Sequence, residues 1–74
     1  MKQEIEAALQ QELNPSVLEV VLEGNHCSIQ IVSEVFTGLS KVKRQQKVYA
    51  CLSEKIASGE IHAVNISAAS PDEA

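Results

Sequence analysis

Four side chains in this 74-residue sequence could ligate a metal or act as a nucleophile through nitrogen or sulfur: His26, Cys27, Cys51 and His62. A structural zinc site takes four Cys or His ligands, usually in closely spaced pairs, and these four are scattered, so a zinc site internal to the chain is not expected. There is no Cys-x-x-Cys, and a disulfide between Cys27 and Cys51 is not expected in the intracellular setting argued below. Cys27 with His26 or His62 could imitate a thiol nucleophile and its base, but no third orienting residue and no oxyanion-binding glycine loop accompanies them. Catalysis is therefore the weakest function class. The other feature that could do chemistry is electrostatic. Four of the six basic residues, Lys41, Lys43, Arg44 and Lys47, fall within seven positions of a chain whose formal charge is −4. Such a run is either a solvated helix face or a binding surface for an acidic partner such as DNA. The overall negative charge opposes non-specific nucleic-acid binding as the main business of the chain.

The elements that must position these residues follow from periodicity. Between Lys2 and Glu12, the spacing of Ile5, Ala8, Leu9 and Leu13 predicts one helix face, and Pro15 ends it. From Val17 to Glu23 the pattern alternates, with Leu18, Val20 and Leu22 on one face and Glu19 and Glu23 on the other, as in a half-buried strand. A second strand is expected over Cys27 to Ser33. Gly24-Asn25 between them suits the positive backbone angles of a tight hairpin, which puts His26 at its mouth. Phe36 to Ser40 is expected as a loop, with Ser40 as N-cap of a helix over Lys41 to Ser58 that Gly59 terminates. Its spacing predicts Val42, Val48, Leu52 and Ile56 facing inward with Tyr49 as a core aromatic, and the four basic residues exposed. A third strand is expected over Ile61 to Ala68, with His62, Val64, Ile66 and Ala68 on one side. Parity places Cys27 with Ile29 and Ile31 toward the core, and Cys51 falls within the helical stripe.

This length supports one domain over 1–74, with 70–74 as a flexible tail. Phe36 and Tyr49 are the only aromatics, so the core is built from Val, Ile, Leu and Ala. The expected fold is α/β (α+β), a three-stranded sheet with helices on one face, its last strand running in either direction. No apolar run approaches a membrane span, and Glu4, Glu6 and Glu12 stand where a signal peptide would carry positive charge, so a cytoplasmic protein is expected.

Phe36-Thr37-Gly38-Leu39-Ser40, Val42-Lys43-Arg44-Gln45-Gln46-Lys47-Val48-Tyr49, Ile61-His62-Ala63-Val64 and Ser70-Pro71 together resemble the BolA family, in the form of its short bacterial, IbaG-type members. The resemblance runs in unbroken order from about Ile5 to Pro71. It implies a class II KH-like fold of helix, strand, strand, helix, helix and strand. It also implies a monothiol glutaredoxin as partner, a [2Fe-2S] cluster shared with that partner and glutathione, and a role in iron homeostasis, cluster trafficking or stress-linked regulation. No cluster is expected in the isolated protein, which is expected to be a monomer or weak homodimer. KH likeness does not itself carry RNA binding, and the Gly-x-x-Gly clamp is absent from this sequence. Many family members follow the proline with an acidic residue and tryptophan, where this sequence has Glu73 and Ala74.

A lone histidine at the start of a strand is ordinarily a rim residue. The family pattern instead makes His62 the principal cluster ligand, with His26 as the second and Cys27 as its alternative. Histidine can replace thiolate on one iron of such a cluster.

Overall fold

A computed structural model describes all residues 1–74. The elements are α1 (Lys2–Leu13), β1 (Val17–Glu23), β2 (His26–Val32), a single 3-10 turn (Glu34–Phe36), α2 (Lys41–Ala57) and β3 (Ala63–Ala69). Helix α1 buries Ile5, Leu9 and Leu13 and stops where Asn14 turns left-handed, φ 43°, ahead of Pro15. In the hairpin that follows, Glu23 faces His26 and only Gly24 takes a positive φ, so the turn needs a glycine at its first position alone.

The sheet order is β1-β2-β3, with β1 antiparallel and β3 parallel to β2. The direction of the last strand, open in the sequence, follows from the crossover that α2 provides. Register aligns three rows on one face: Leu22, Cys27 and Val64; Val20, Ile29 and Ile66; Leu18, Ile31 and Ala68. Helices α1 and α2 cover that face, α1 against β1 and α2 against β3. Phe36, carried in by the 3-10 turn, is fully buried with Val48, Leu52 and Ile61 from the second half of the chain. Thus the short helix implied ahead of α2 is this single turn, and the N-cap expected at Ser40 is present, its hydroxyl accepting from Lys43 N at 3.2 Å.

Two expectations for α2 are overturned. Arg44, expected to be exposed, is only 8% exposed, whereas Lys41, Lys43 and Lys47 are solvated. Val42 and Ile56, expected to point inward, are 63% and 36% exposed, and Tyr49 is 39% exposed. The cause is which row of the helix faces the sheet. Arg44, Val48 and Leu52, four residues apart, form the buried row, and Tyr49 lies one residue, about 100°, around the helix from it.

A charged residue can occupy the first turn of that row because four of its five N–H donors are used. Arg44 Nε donates to the Leu39 carbonyl at 2.9 Å and Nη1 to the Ala68 carbonyl at 3.2 Å. Nη1 and Nη2 also take the two oxygens of Glu73, at 2.6 and 3.2 Å. The planar fork of arginine suits this bidentate pairing, which lysine could not reproduce. Glu73 Oε1 further accepts from the amide and the hydroxyl of Ser70, both at 2.9 Å. Residues 70–74, expected as a flexible tail, therefore include a buried Ser70 and a carboxylate tied to α2.

The Arg44 hydrogen bonds and the bonds from Ser70 hold the Glu73 carboxyl down to about 2 from 4.5. A depressed carboxyl stabilises the fold above its unfolded value and loses that contribution as pH falls toward its folded value. Arg44→Ala should cost about 2–3 kcal/mol, since it strands two carbonyls as well as the ion pair. Glu73→Gln should lower the urea midpoint at pH 7, and its difference from the parent should shrink between pH 4.5 and 2. Equal midpoints at pH 7 would contradict the tether.

Candidate functional site at the hairpin edge

Backbone register places the two histidines at the same end of the sheet. His26 is the first residue of β2 and stands beside Ala63, the first residue of β3. The residue before Ala63 is His62, whose amide donates to the Asn25 carbonyl at 2.9 Å. One carbonyl in the hairpin turn thus fixes the chain that carries the second histidine next to the strand that carries the first. Both side chains are exposed.

Parity along a strand from Ile61 would have put His62 on the covered face with Val64. The strand begins two residues later than expected, at Ala63, and the approach to it buries Ile61 and leaves His62 at the rim. That approach is set by the end of α2. Gly59 takes φ 83°, and its amide donates to the Ile56 carbonyl, so the chain reverses within two residues of Ala57. A methyl group at Gly59 would lie 3.8 Å from His62 Nε2, which places the imidazole over this turn.

Cys27 lies one residue beyond His26 but on the other face of the sheet, 1% exposed and packed in the core as parity predicts. Burial pushes its thiol above the usual range. Cys51, half-buried on α2, is pushed up by burial and by the charge of Glu12. Neither has the depressed value of a reactive thiol. No group of three or more His, Cys, Asp or Glu side chains is gathered anywhere in the chain. His26 and His62 therefore offer two nitrogen donors at an open edge, and the remaining ligands of a metal centre there would have to come from outside.

The basic run does not act as one patch. Arg44 is consumed by internal bonds, and Lys41, Lys43 and Lys47 remain on the surface without ion pairs. The Arg44 role was findable in the sequence, since counting back four from Val48 puts it on the core row. Glu73 gave no such signal, as its partner lies 29 positions away. A separate open depression of about 470 Å³ wraps the β3 side of the sheet, lined by Ser28, Gln30, Asn65 and Ser67 of the uncovered face and by Gln45 and Tyr49 of α2, and neither histidine lines it. No helix is long and apolar enough to cross a membrane.

Comparison with known proteins agrees with this architecture. A family model described as BolA-like protein matches residues 9–73. The acid stress protein IbaG of Escherichia coli K12 is 43% identical over 70 residues, covering 95% of this chain and 83% of that protein. Among solved structures, the BolA domain of SufE1 from Arabidopsis thaliana superposes with a TM-score of 0.93 at 34% identity, covering 99% of this chain and 94% of the other. BolA1 from the same plant superposes with a TM-score of 0.91 at 31% identity, with the same coverage.

Because both histidines are rim residues, His26→Ala and His62→Ala should each change the unfolding free energy by less than about 0.5 kcal/mol. Cys27 should resist a thiol-specific reagent until the whole chain unfolds, and Cys51 should react sooner. Rapid labelling of Cys27 in the native protein would show that its strand opens locally.

Proposed function

This chain belongs to the BolA family, and from that premise we propose that it is a binding module which shares a [2Fe-2S] cluster with a monothiol glutaredoxin, His62 and His26 being its contribution to the ligand set. The carrying observation is the exposed histidine pair held at one edge by the Asn25 carbonyl. A two-iron cluster takes four protein or small-molecule ligands, and two imidazoles on one iron are chemically competent. The donor set fits a half-share, with a glutaredoxin cysteine and glutathione as the expected remainder. Bound there, the cluster would supply a transferable or redox-active iron centre, in keeping with a role in iron homeostasis, cluster trafficking or stress-linked regulation.

The chain's own residues would do three things. His62 and His26 present ring nitrogens, which an imidazole offers to a metal only when unprotonated. The Gly59 turn and the Asn25 carbonyl hold the two backbone positions, so that little ordering is left to be done on binding. The buried Cys27 is kept out of the ligand set by the packing around it. Protons compete with iron for imidazole nitrogen, so acid weakens a site of this kind, which gives the acid-stress name of the Escherichia coli relative a chemical counterpart. The alternative of a DNA-binding regulator loses Arg44 to the fold and keeps only Lys41, Lys43 and Lys47.

The test is anaerobic mixing with a monothiol glutaredoxin, glutathione, iron and sulfide, read by visible absorption and circular dichroism. The parent chain should form a mixed complex whose spectrum differs from that of the glutaredoxin's own cluster. His62→Ala should alter or destabilise that spectrum, His26→Ala less so, and the signal should decay faster as the buffer is acidified. Identical spectra and lifetimes for parent and both variants would rule out this ligand set, and failure of any mixed complex would rule out the partnership.

A further inference from the structure

We infer that the free edge of β3 takes up an extended segment of a partner protein as a further strand of the sheet, seated against the exposed side of α2. The cover over the sheet thins toward this edge. In its middle row, Val20 of β1 and Ile29 of β2 are buried, whereas Ile66 of β3 is only half-buried. The backbone of β3 selects an extended occupant. The Ala63 amide donates to Asn25 and the Ala69 carbonyl accepts from Ser33, so by alternation the amides and carbonyls of Val64, Ile66 and Ala68 point away from β2. Of these groups only the Ala68 carbonyl is taken, by Arg44. Donors and acceptors repeating at every second residue are matched by another strand, not by a helix, whose own amides and carbonyls are spent internally. β3 also has no charged residue, no proline and no bulge, the devices that keep an edge from pairing.

Helix α2 sets the side-chain pattern of that strand. It runs antiparallel to β3, since Arg44 near its start reaches Ala68 and the Lys55 carbonyl near its end accepts from the Ile61 amide. Its exposed large hydrophobic residues, Val42, Tyr49 and Ile56, recur at intervals of seven and so follow one line along the helix. Tyr49 and Gln45 line the same depression as Val64 and Ile66. A strand added to β3 therefore lays alternate side chains against the Tyr49 line and the others beside Asn65 and Ser67 on the uncovered face. The matching partner segment is apolar at every second position and polar between. A nucleic-acid backbone is disfavoured here, because no Lys or Arg lines the depression and Glu19 does. Neither histidine lines it, so strand addition stands or falls independently of the cluster.

The test is amide hydrogen exchange by nuclear magnetic resonance on the full chain, alone and with a synthetic peptide that alternates valine and threonine between terminal lysines. In the free chain the Val64 and Ile66 amides should exchange fast, and those of Asn65 and Ser67, which face β2, slowly. Millimolar peptide should slow exchange at Val64, Ile66 and Ala68 by about tenfold. With valines toward α2, the valine amides face β3 in an antiparallel pairing and the threonine amides in a parallel one. Of two further peptides, N-methylated at every valine or at every threonine, one should therefore lose the effect and the other keep it. Tyr49→Glu should weaken peptide binding about fivefold, while the exposed α1 change Gln10→Glu leaves it unchanged. No protection at millimolar peptide, or equal protection by both methylated peptides, would overturn the proposal. Protection that rises with the concentration of the chain alone would also overturn it, assigning the edge to a second copy.

Discussion

The parallel register of β3 on β2 is the constraint on which the rest depends. Asn25 O receives the amides of His62 and Ala63 at one end of the pairing, and Ala69 O receives the Ser33 amide at the other. A parallel neighbour cannot be reached by a tight turn, so the chain must cross over the sheet, and α2 is that crossover. The crossover must also be anchored at its start. Arg44 does this, joining the first turns of α2 to the Leu39 loop, the Ala68 carbonyl and Glu73. The carbonyl of Ala68 points to the free side of β3, because that of its neighbour Ala69 points to β2. Arg44 therefore closes part of an edge that would otherwise be open.

So small a chain has few ways to make a core, and this one does it with one aromatic. Phe36 is fully buried while Tyr49 remains at the surface. The 3-10 turn exists to deliver that ring. Ser33 supports it twice, accepting from the Val35 amide and donating to the Leu13 carbonyl, which ties the turn to the end of α1. Burial of Ser33 and Ser70 costs little because their hydroxyls are paired, and no buried side-chain polar atom lacks a partner. Polar residues thus fix the ends of elements whose middles are held by aliphatic packing.

Most of this was legible in the residues. The alternation of Leu18, Val20 and Leu22 with Glu19 and Glu23 in β1, and the Gly24-Asn25 turn, placed the hairpin to within a residue, because a slip of one would have turned Cys27, Ile29 and Ile31 to solvent. Serine at position 40 marked the start of α2 by its capping chemistry. The interior of α2 was misjudged because two apolar rows overlap there, and periodicity alone does not say which faces the sheet. Val42 and Ile56 share one row with Tyr49, whereas the core uses Arg44, Val48 and Leu52, a row that begins with a charge. The tie between Arg44 and Glu73 joins residues far apart in sequence and has no local signature. At the candidate site, both histidines were visible by type, but their adjacency depends on where β3 begins, which parity misplaced by two residues.

The central claim is that two imidazoles of this chain hold one iron of a shared cluster. It is tested most directly by pulsed electron paramagnetic resonance on the reduced mixed complex, prepared with 15N-histidine in this chain alone. Two directly bound imidazole nitrogens of this chain should give 15N couplings, one lost in His62→Ala and the other in His26→Ala. A cluster that forms with no 15N coupling from this chain, or with couplings unchanged in the double variant, would contradict it.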